Sequence, residues 1–295
     1  MARFGPVATA MVTPFHADGS LDVEGAATLA RWLVDHGNDA LVLAGTTGEA
    51  PVLSDAERIE LFGAVRRAVT VPLVAGSTTN DTAHSVELTR AASDAGVDAV
   101  LAVVPYYSKP SQAGLDLHFR AIAEASDLPI MVYDVPGRTG RALATDTMLT
   151  LAREVPTIVA LKDAGGDPAQ TARLVAEAPE GFEVYSGDEP LTLALAAYGA
   201  VGVVGVSSHW TGRQQQEMFA AFAKGDVVSA REINARLLPS YRYMNSDTCV
   251  FSQAVKVAMG VLGVPAGHCR LPLGPAPAGT DLLARTVLDE LGYPT

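Results

Sequence analysis

The chain has 295 residues, of which 48% are hydrophobic and 18% charged, and a formal net charge of −12. This balance belongs to a folded globular chain with a large core, not to a disordered one. It also speaks against a broad phosphate-backbone footprint, which concentrates Lys and Arg, while leaving room for one Arg to hold a small anion in a pocket.

Short β-branched runs alternate with amphipathic stretches. Residues 7–12 form the first predicted strand, closed by Thr13-Pro14, and residues 22–36 the first helix. The second strand, 39–44, ends at Gly45. Ser54 and Glu57 have capping-box spacing and open a helix that runs to about Val69. A strand at 71–75 and a helix at 81–95 follow. The fourth strand, 99–104, ends in Pro105-Tyr106-Tyr107 and leads into a helix at 112–125. The fifth, 129–133, ends in the loop Asp134-Val135-Pro136-Gly137-Arg138, before a helix at 146–154. Residues 158–161 read as a strand apolar on both faces, as in a parallel sheet, and Lys162 ends it. Helix 168–178, strand 182–185, helix 189–198, strand 201–206 and helix 210–223 complete the series.

Eight strand–helix units over about 225 residues predict a (β/α)8 TIM barrel. A doubly wound open sheet is the alternative. The absence of G-x-G-x-x-G after the first strand and the even unit size favour closure. From about Asp226 the strands stop. Residues 227–236, 241–244, 249–262 and 280–291 read as helical, with a loop at Pro272, Pro275 and Pro277. The expected organisation is a catalytic barrel over residues 1–226 and a C-terminal helical domain over residues 227–295.

In such a barrel, chemistry belongs at the C-terminal ends of the strands. A strand-end lysine more often simply reaches water, but a buried amine is held neutral and can attack a carbonyl. The chain has four lysines, and Lys162 alone ends a barrel strand. Lys109 lies in a Ser-Lys-Pro loop, Lys224 precedes Gly225 at a helix end, and Lys256 is on a C-terminal helix. Gly45-Thr46-Thr47-Gly48 reads either as a carboxylate cradle or as a tight turn with a Thr cap. Tyr133 reads as a packing residue or as a proton shuttle for the amine. Arg138 is a solvated loop residue or a bidentate carboxylate clamp. His209 has a pocket-mouth reading and a helix-start packing reading.

Taken together, Gly45-Thr46-Thr47-Gly48-Glu49, Pro105-Tyr106-Tyr107, Tyr133-Asp134-Val135-Pro136-Gly137-Arg138-Thr139-Gly140, Leu161-Lys162-Asp163 and Ser186-Gly187-Asp188 resemble the dihydrodipicolinate synthase family. That family lies within the pyruvate-dependent class I aldolases, which include N-acetylneuraminate lyase, and the similarity covers essentially the whole chain. The resemblance implies that Lys162 forms an imine with pyruvate and that Thr46 and Thr47 hold the pyruvate carboxylate. It implies a proton relay of Tyr133, Thr47 and Tyr107, the last reaching in from a neighbouring subunit. Arg138 would bind the carboxylate of L-aspartate 4-semialdehyde, and the backbone at Gly187 and Val204 would line the pocket. The implied activity is a lyase of lysine biosynthesis through diaminopimelate, needing no metal or organic cofactor, in a homotetramer built as a dimer of dimers. A sister aldolase acting on a keto-deoxy sugar acid or N-acetylneuraminate is the runner-up, and a non-catalytic pyruvate sensor the third reading.

Two stretches depart from the family pattern. Where lysine-inhibited members often carry Ser, His and Glu, this chain has Ala50, Asp55, Arg58 and His84, keeping Asn80 and Tyr106. Feedback inhibition by lysine therefore does not follow from the resemblance. The Asn-Pro-x-Pro stretch before the lysine matching Lys256 is replaced by Phe251-Ser252-Gln253-Ala254-Val255. The resemblance accordingly carries the packing of the C-terminal helices less far than it carries the site. Cys249 and Cys269 are too few and too far apart for a zinc motif or disulfide framework, and read as reduced packing thiols. With no leader-like apolar core at the N-terminus and no run of about 18 apolar residues, no membrane is expected and the expected location is cytoplasmic.

Overall fold

A computed structural model describes residues 2–246 and 249–294. The strands are β1 (Val7–Ala10), β2 (Ala40–Leu43), β3 (Leu73–Ala75), β4 (Ala99–Val103), β5 (Ile130–Asp134), β6 (Ile158–Asp163), β7 (Glu183–Ser186) and β8 (Gly202–Gly205). All eight are parallel and close into a barrel in sequence order. β1 pairs with β2 on one side and β8 on the other, which excludes the open sheet.

Between the strands lie α1 (Val23–Asp35), α2 (Asp55–Ala68), α3 (Thr82–Asp94), α4 (Gln112–Ala123), the one-turn α5 (Pro136–Thr139), α6 (Thr145–Glu154), α7 (Pro168–Glu177), α8 (Thr192–Tyr198) and α9 (Ser208–Ala223). Asp22, Ser54, Asp81, Ser111 and Asp167 cap their helices by accepting first-turn N–H groups, each contributing about 1 kcal/mol. The Ser54–Glu57 capping box forms as its spacing predicts. Residues 189–191, predicted as helix, instead make a 3₁₀ turn around Pro190 before α8 begins.

Successive strand side chains alternate between the barrel interior and the helix layer. Ala8, Ala10, Ala40, Val42, Val74, Leu101, Met131, Tyr133, Ala160, Tyr185 and Val204 pack together in the interior. Ala160 faces inward, so Lys162, two residues on, faces inward too, one layer nearer the C-terminal rim. Tyr133 stands in the same relation to Met131. The side chains between them, such as Val132 and Leu161, join the outer layer under α4, α6 and α7.

Three further helices follow, α10 (Val227–Met244), α11 (Phe251–Val261) and α12 (Thr280–Glu290). The stretches 227–236 and 241–244, expected as separate helices, form one helix, because α10 continues through Pro239. Pro removes one helical N–H, normally at a cost of about 3 kcal/mol. Tertiary contacts hold the last turns: Leu237 and Tyr241 are buried, and Trp210 Nε1 donates to Ser240 Oγ at 3.0 Å. Leu237, Tyr241, Met259 and Leu288 join the apolar cluster that also covers Leu41 and Leu73 of the barrel. One core thus runs across the boundary at residues 226 and 227. Among the described residues no helix is long and apolar enough to cross a membrane.

Candidate active site

Lys162 lies inside β6, not beyond its end, paired with Tyr133 on β5 and Tyr185 on β7. Its side chain is 5% exposed. Burial pulls its pKa down to about 7; Glu189 opposes this and Arg138 adds to it. The ammonium position lies 4.2 Å from the centroid of the Tyr133 ring. Burial likewise pushes the Tyr133 hydroxyl above its ordinary pKa, while Arg138 and a hydrogen bond shared with the Thr46 side chain pull it down. A phenol and an amine are therefore held side by side, the amine close to neutral at physiological pH. That is the state nucleophilic attack on a carbonyl requires.

The nearby carboxylate was not singled out in the sequence. Glu189 is 5% exposed. It accepts from the N–H groups of Val206 and Ser207 at 2.9 and 3.0 Å, from Ser207 Oγ at 2.6 Å and from Gln215 Nε2 at 2.9 Å. These four donors fix the carboxylate in place, and its charge acts on the Lys162 amine. The available signal was the pair Asp188-Glu189 directly after a strand end, which reads equally well as acidic residues opening a helix.

Thr46, Tyr133 and Arg138 line one cavity of about 250 Å³ on the C-terminal side. Thr47 is buried, and Thr13 Oγ1 donates to Gly48 O at 2.7 Å, pinning this turn to the end of β1. Gly187 is closely packed, so a side chain there would press on its neighbours. A Cβ there would stand 3.0 Å from both Lys162 Cγ and Ala164 Cβ. Val204 is buried in the same interior cluster as Tyr133. Arg138 is exposed on α5, with its guanidinium carbon 4.3 Å from the centroid of Phe251. Tyr107 is 90% exposed and is not among the residues that line this cavity. Of the three residues that the resemblance assigns to a relay, Tyr107 thus stands apart within one chain, and Tyr133 shares its hydrogen bond with Thr46.

The remaining lysines have other surroundings. Lys224 caps the C-terminus of α9, and Lys256 is ion-paired with Glu49 at 2.6 Å. His209 is fully buried, its Nδ1–H directed at Val206 O (2.7 Å) and its Nε2 accepting from Val12 N–H, the packing role. At the positions that depart from the lysine-inhibited pattern, Asp55 pairs with His84 at 2.9 Å. Buried Arg58 donates to Ala50 O at 2.7 Å and to Gly76 O at 3.1 Å. Asn80 Nδ2 donates to Tyr106 O at 3.3 Å. Among the described residues no three His, Cys, Asp or Glu side chains form a group that could hold a metal ion. Cys249 and Cys269 are both free and buried.

Fold and site together define a (β/α)8-barrel enzyme built around a buried strand-end amine. The family model described as the dihydrodipicolinate synthetase family matches residues 3–288. The chain is 48% identical over 275 residues to the 4-hydroxy-tetrahydrodipicolinate synthase of Moorella thermoacetica, covering 92% of each. It is 49% identical over 295 residues to that of Acidothermus cellulolyticus, covering 99% of this chain and 94% of the relative. Dihydrodipicolinate synthase from Cyanidioschyzon merolae, solved with lysine bound, superposes with a TM-score of 0.95 at 39% identity, covering 99% of both chains. The Bacillus anthracis enzyme does so with a TM-score of 0.92 at 41% identity over the whole of both chains. This chain belongs to the dihydrodipicolinate synthetase family, whose enzymes are lyases.

Proposed function

We propose that the chain catalyses the 4-hydroxy-tetrahydrodipicolinate synthase reaction, condensing pyruvate with L-aspartate 4-semialdehyde in lysine biosynthesis through diaminopimelate. The synthase names of relatives 48% and 49% identical support it. The single structural observation that carries it is the Lys162 amine, buried at the end of β6 with its pKa lowered to about 7. In this reading Lys162 Nζ adds to the keto carbon of pyruvate, and loss of water leaves an imine. Loss of a methyl proton gives the enamine, whose carbon attacks the aldehyde carbon while the aldehyde oxygen takes up a proton. The substrate amine then adds to the imine carbon and displaces Lys162, closing the ring. The chemistry is assigned to this covalent imine alone, with no metal or organic cofactor.

Thr46 and Thr47 are assigned to the pyruvate carboxylate, Arg138 to the carboxylate of the semialdehyde, and the backbone of Gly187 and Val204 to the pocket wall. Tyr133, Thr47 and Tyr107 of a neighbouring subunit are assigned to proton transfer. We place the enzyme in the cytoplasm as a homotetramer, a dimer of dimers. The test is turnover of pyruvate and aspartate 4-semialdehyde coupled to dihydrodipicolinate reductase and followed by NADPH loss. Turnover in the wild type and none in Lys162→Ala is the expected result. Absence of wild-type turnover, with borohydride still trapping pyruvate on Lys162, would move the assignment to a sister lyase.

A further inference from the structure

Arg138 and Phe251 are brought together from α5, after β5, and from the first residue of α11. The guanidinium carbon lies 4.3 Å from the ring centroid. Among the described residues the Arg138 side chain has no hydrogen-bond or ion-pair partner, so this ring is what orients it. Its five N–H donors lie in one plane. The ring over which the guanidinium carbon lies offers no acceptor atom, so those donors stay free for a bidentate carboxylate.

Phe251 is itself held firmly. Gln253 Oε1 accepts from Val250 N–H at 3.2 Å, and its Nε2 donates to the carbonyls of Leu273, Gly274 and Pro275 at 2.9, 3.1 and 3.0 Å. One side chain thus ties the start of α11 to the Pro-rich loop. Arg138 and Phe251 also wall two adjoining hollows of about 370 and 200 Å³. The stretch that departs from the Asn-Pro-x-Pro pattern therefore contains both the ring that meets Arg138 and the amide that fixes the ring.

We propose that Phe251 is a positioning residue: it holds the Arg138 guanidinium plane so that its edge meets the carboxylate of the second substrate. This rests on the assignment of Arg138 made above. Without the ring a long, unpartnered side chain must be ordered by the substrate itself, which lowers affinity for that substrate alone. Phe251→Leu keeps an apolar side chain but removes the π face, and Phe251→Trp keeps the face.

The experiment measures kcat and KM for each substrate in the wild type, Phe251→Leu and Phe251→Trp. The Leu variant is expected to raise KM for the semialdehyde by about fivefold, the scale of a lost cation–π contact. Its pyruvate KM and its kcat should stay at the wild-type value, and the Trp variant should keep the wild-type semialdehyde KM. Wild-type KM values in Phe251→Leu, or a parallel rise for both substrates, would overturn the proposal. A second readout needs no turnover. Enzyme carrying borohydride-reduced pyruvate on Lys162 is titrated calorimetrically with succinate as a four-carbon carboxylate probe. About fivefold weaker succinate binding in Phe251→Leu supports the proposal; equal binding, or none in the wild type, overturns it. Failure of the synthase reading shows separately, as absent wild-type turnover, and leaves this titration to decide the role of Phe251.

Discussion

At the scale of single residues, the site is a contest between desolvation and charge at Lys162. Burial favours the neutral amine and dominates; Glu189 favours the ammonium, and Arg138 works against it. The nucleophile is the neutral form, so kcat/KM for pyruvate, which reports the free enzyme, is expected to rise with pH through a midpoint near 7. An unperturbed lysine would place that midpoint near pH 10, and a measured value above 9 would mean that burial is not what activates Lys162. Stability follows the same group. With the folded pKa about 7 against an ordinary 10.5, the unfolded chain binds more protons across that window. This group's contribution therefore rises with pH from about 7 to about 10.5 and is flat below. Lys162→Met should remove that part of the slope and raise stability at pH 7, read from urea unfolding at pH 7 and 9.

At the scale of elements, the loop after β2 is tied to the C-terminal helices. Glu49, with a φ of 58°, directly follows the turn that carries Thr46 and Thr47. Its carboxylate meets Lys256 Nζ at 2.6 Å and accepts from Arg270 N–H at 2.8 Å, while Lys256 Nζ also donates to His268 O at 2.9 Å. The Phe15 ring lies against both cations, 4.3 Å from Lys256 Nζ and 4.1 Å from Arg270 Cζ. Lys256→Met leaves Glu49 buried without its cation, and the expected loss of stability is about 3–5 kcal/mol. Pyruvate KM should rise with it as the threonine turn loosens. A loss below about 1 kcal/mol in chemical unfolding would mean that the pair is not what holds the loop. The strands were legible because parallel strands buried on both faces read as apolar runs. Lys162, Tyr133 and the threonines were legible because they end such runs. Glu189 and Phe251 were not. Each acts through a neighbour that only barrel closure or the docking of α11 supplies, and each has an ordinary local reading at the start of a helix. The continuity of α10 through Pro239 was not legible either, since the burial that carries the helix through it is tertiary.

At the scale of the whole molecule, the rim carries strained backbone that its own chain only partly accounts for. The non-glycine residues with positive φ among the described residues are Ala44, Glu49, Tyr107 and Lys109, all in or beside the loops that follow β2 and β4. Such backbone costs on the order of 1–3 kcal/mol per residue and persists where surrounding contacts enforce it. Ala44 and Glu49 are buried, so their surroundings are visible within the chain. Tyr107 is not: its φ is 72°, its ring is 90% exposed, and its N–H reaches Thr139 O at 3.3 Å beside Arg138. A strained residue presenting a bare aromatic ring at the mouth of a catalytic barrel gains little from its own chain. The proposed role in a neighbouring subunit's site supplies the missing reason. It also makes a sharp prediction, because Lys162→Ala and Tyr107→Phe would then damage different halves of a shared site. Each variant alone should turn over slowly or not at all. Dissociated, mixed in equal amounts and reassembled, they should recover about a quarter of wild-type activity, the share of complete sites in randomly formed symmetric pairs. Activity no greater than the sum of the separate variants would place Tyr107 outside the neighbour's site, because a site completed within one chain cannot be repaired by a neighbour.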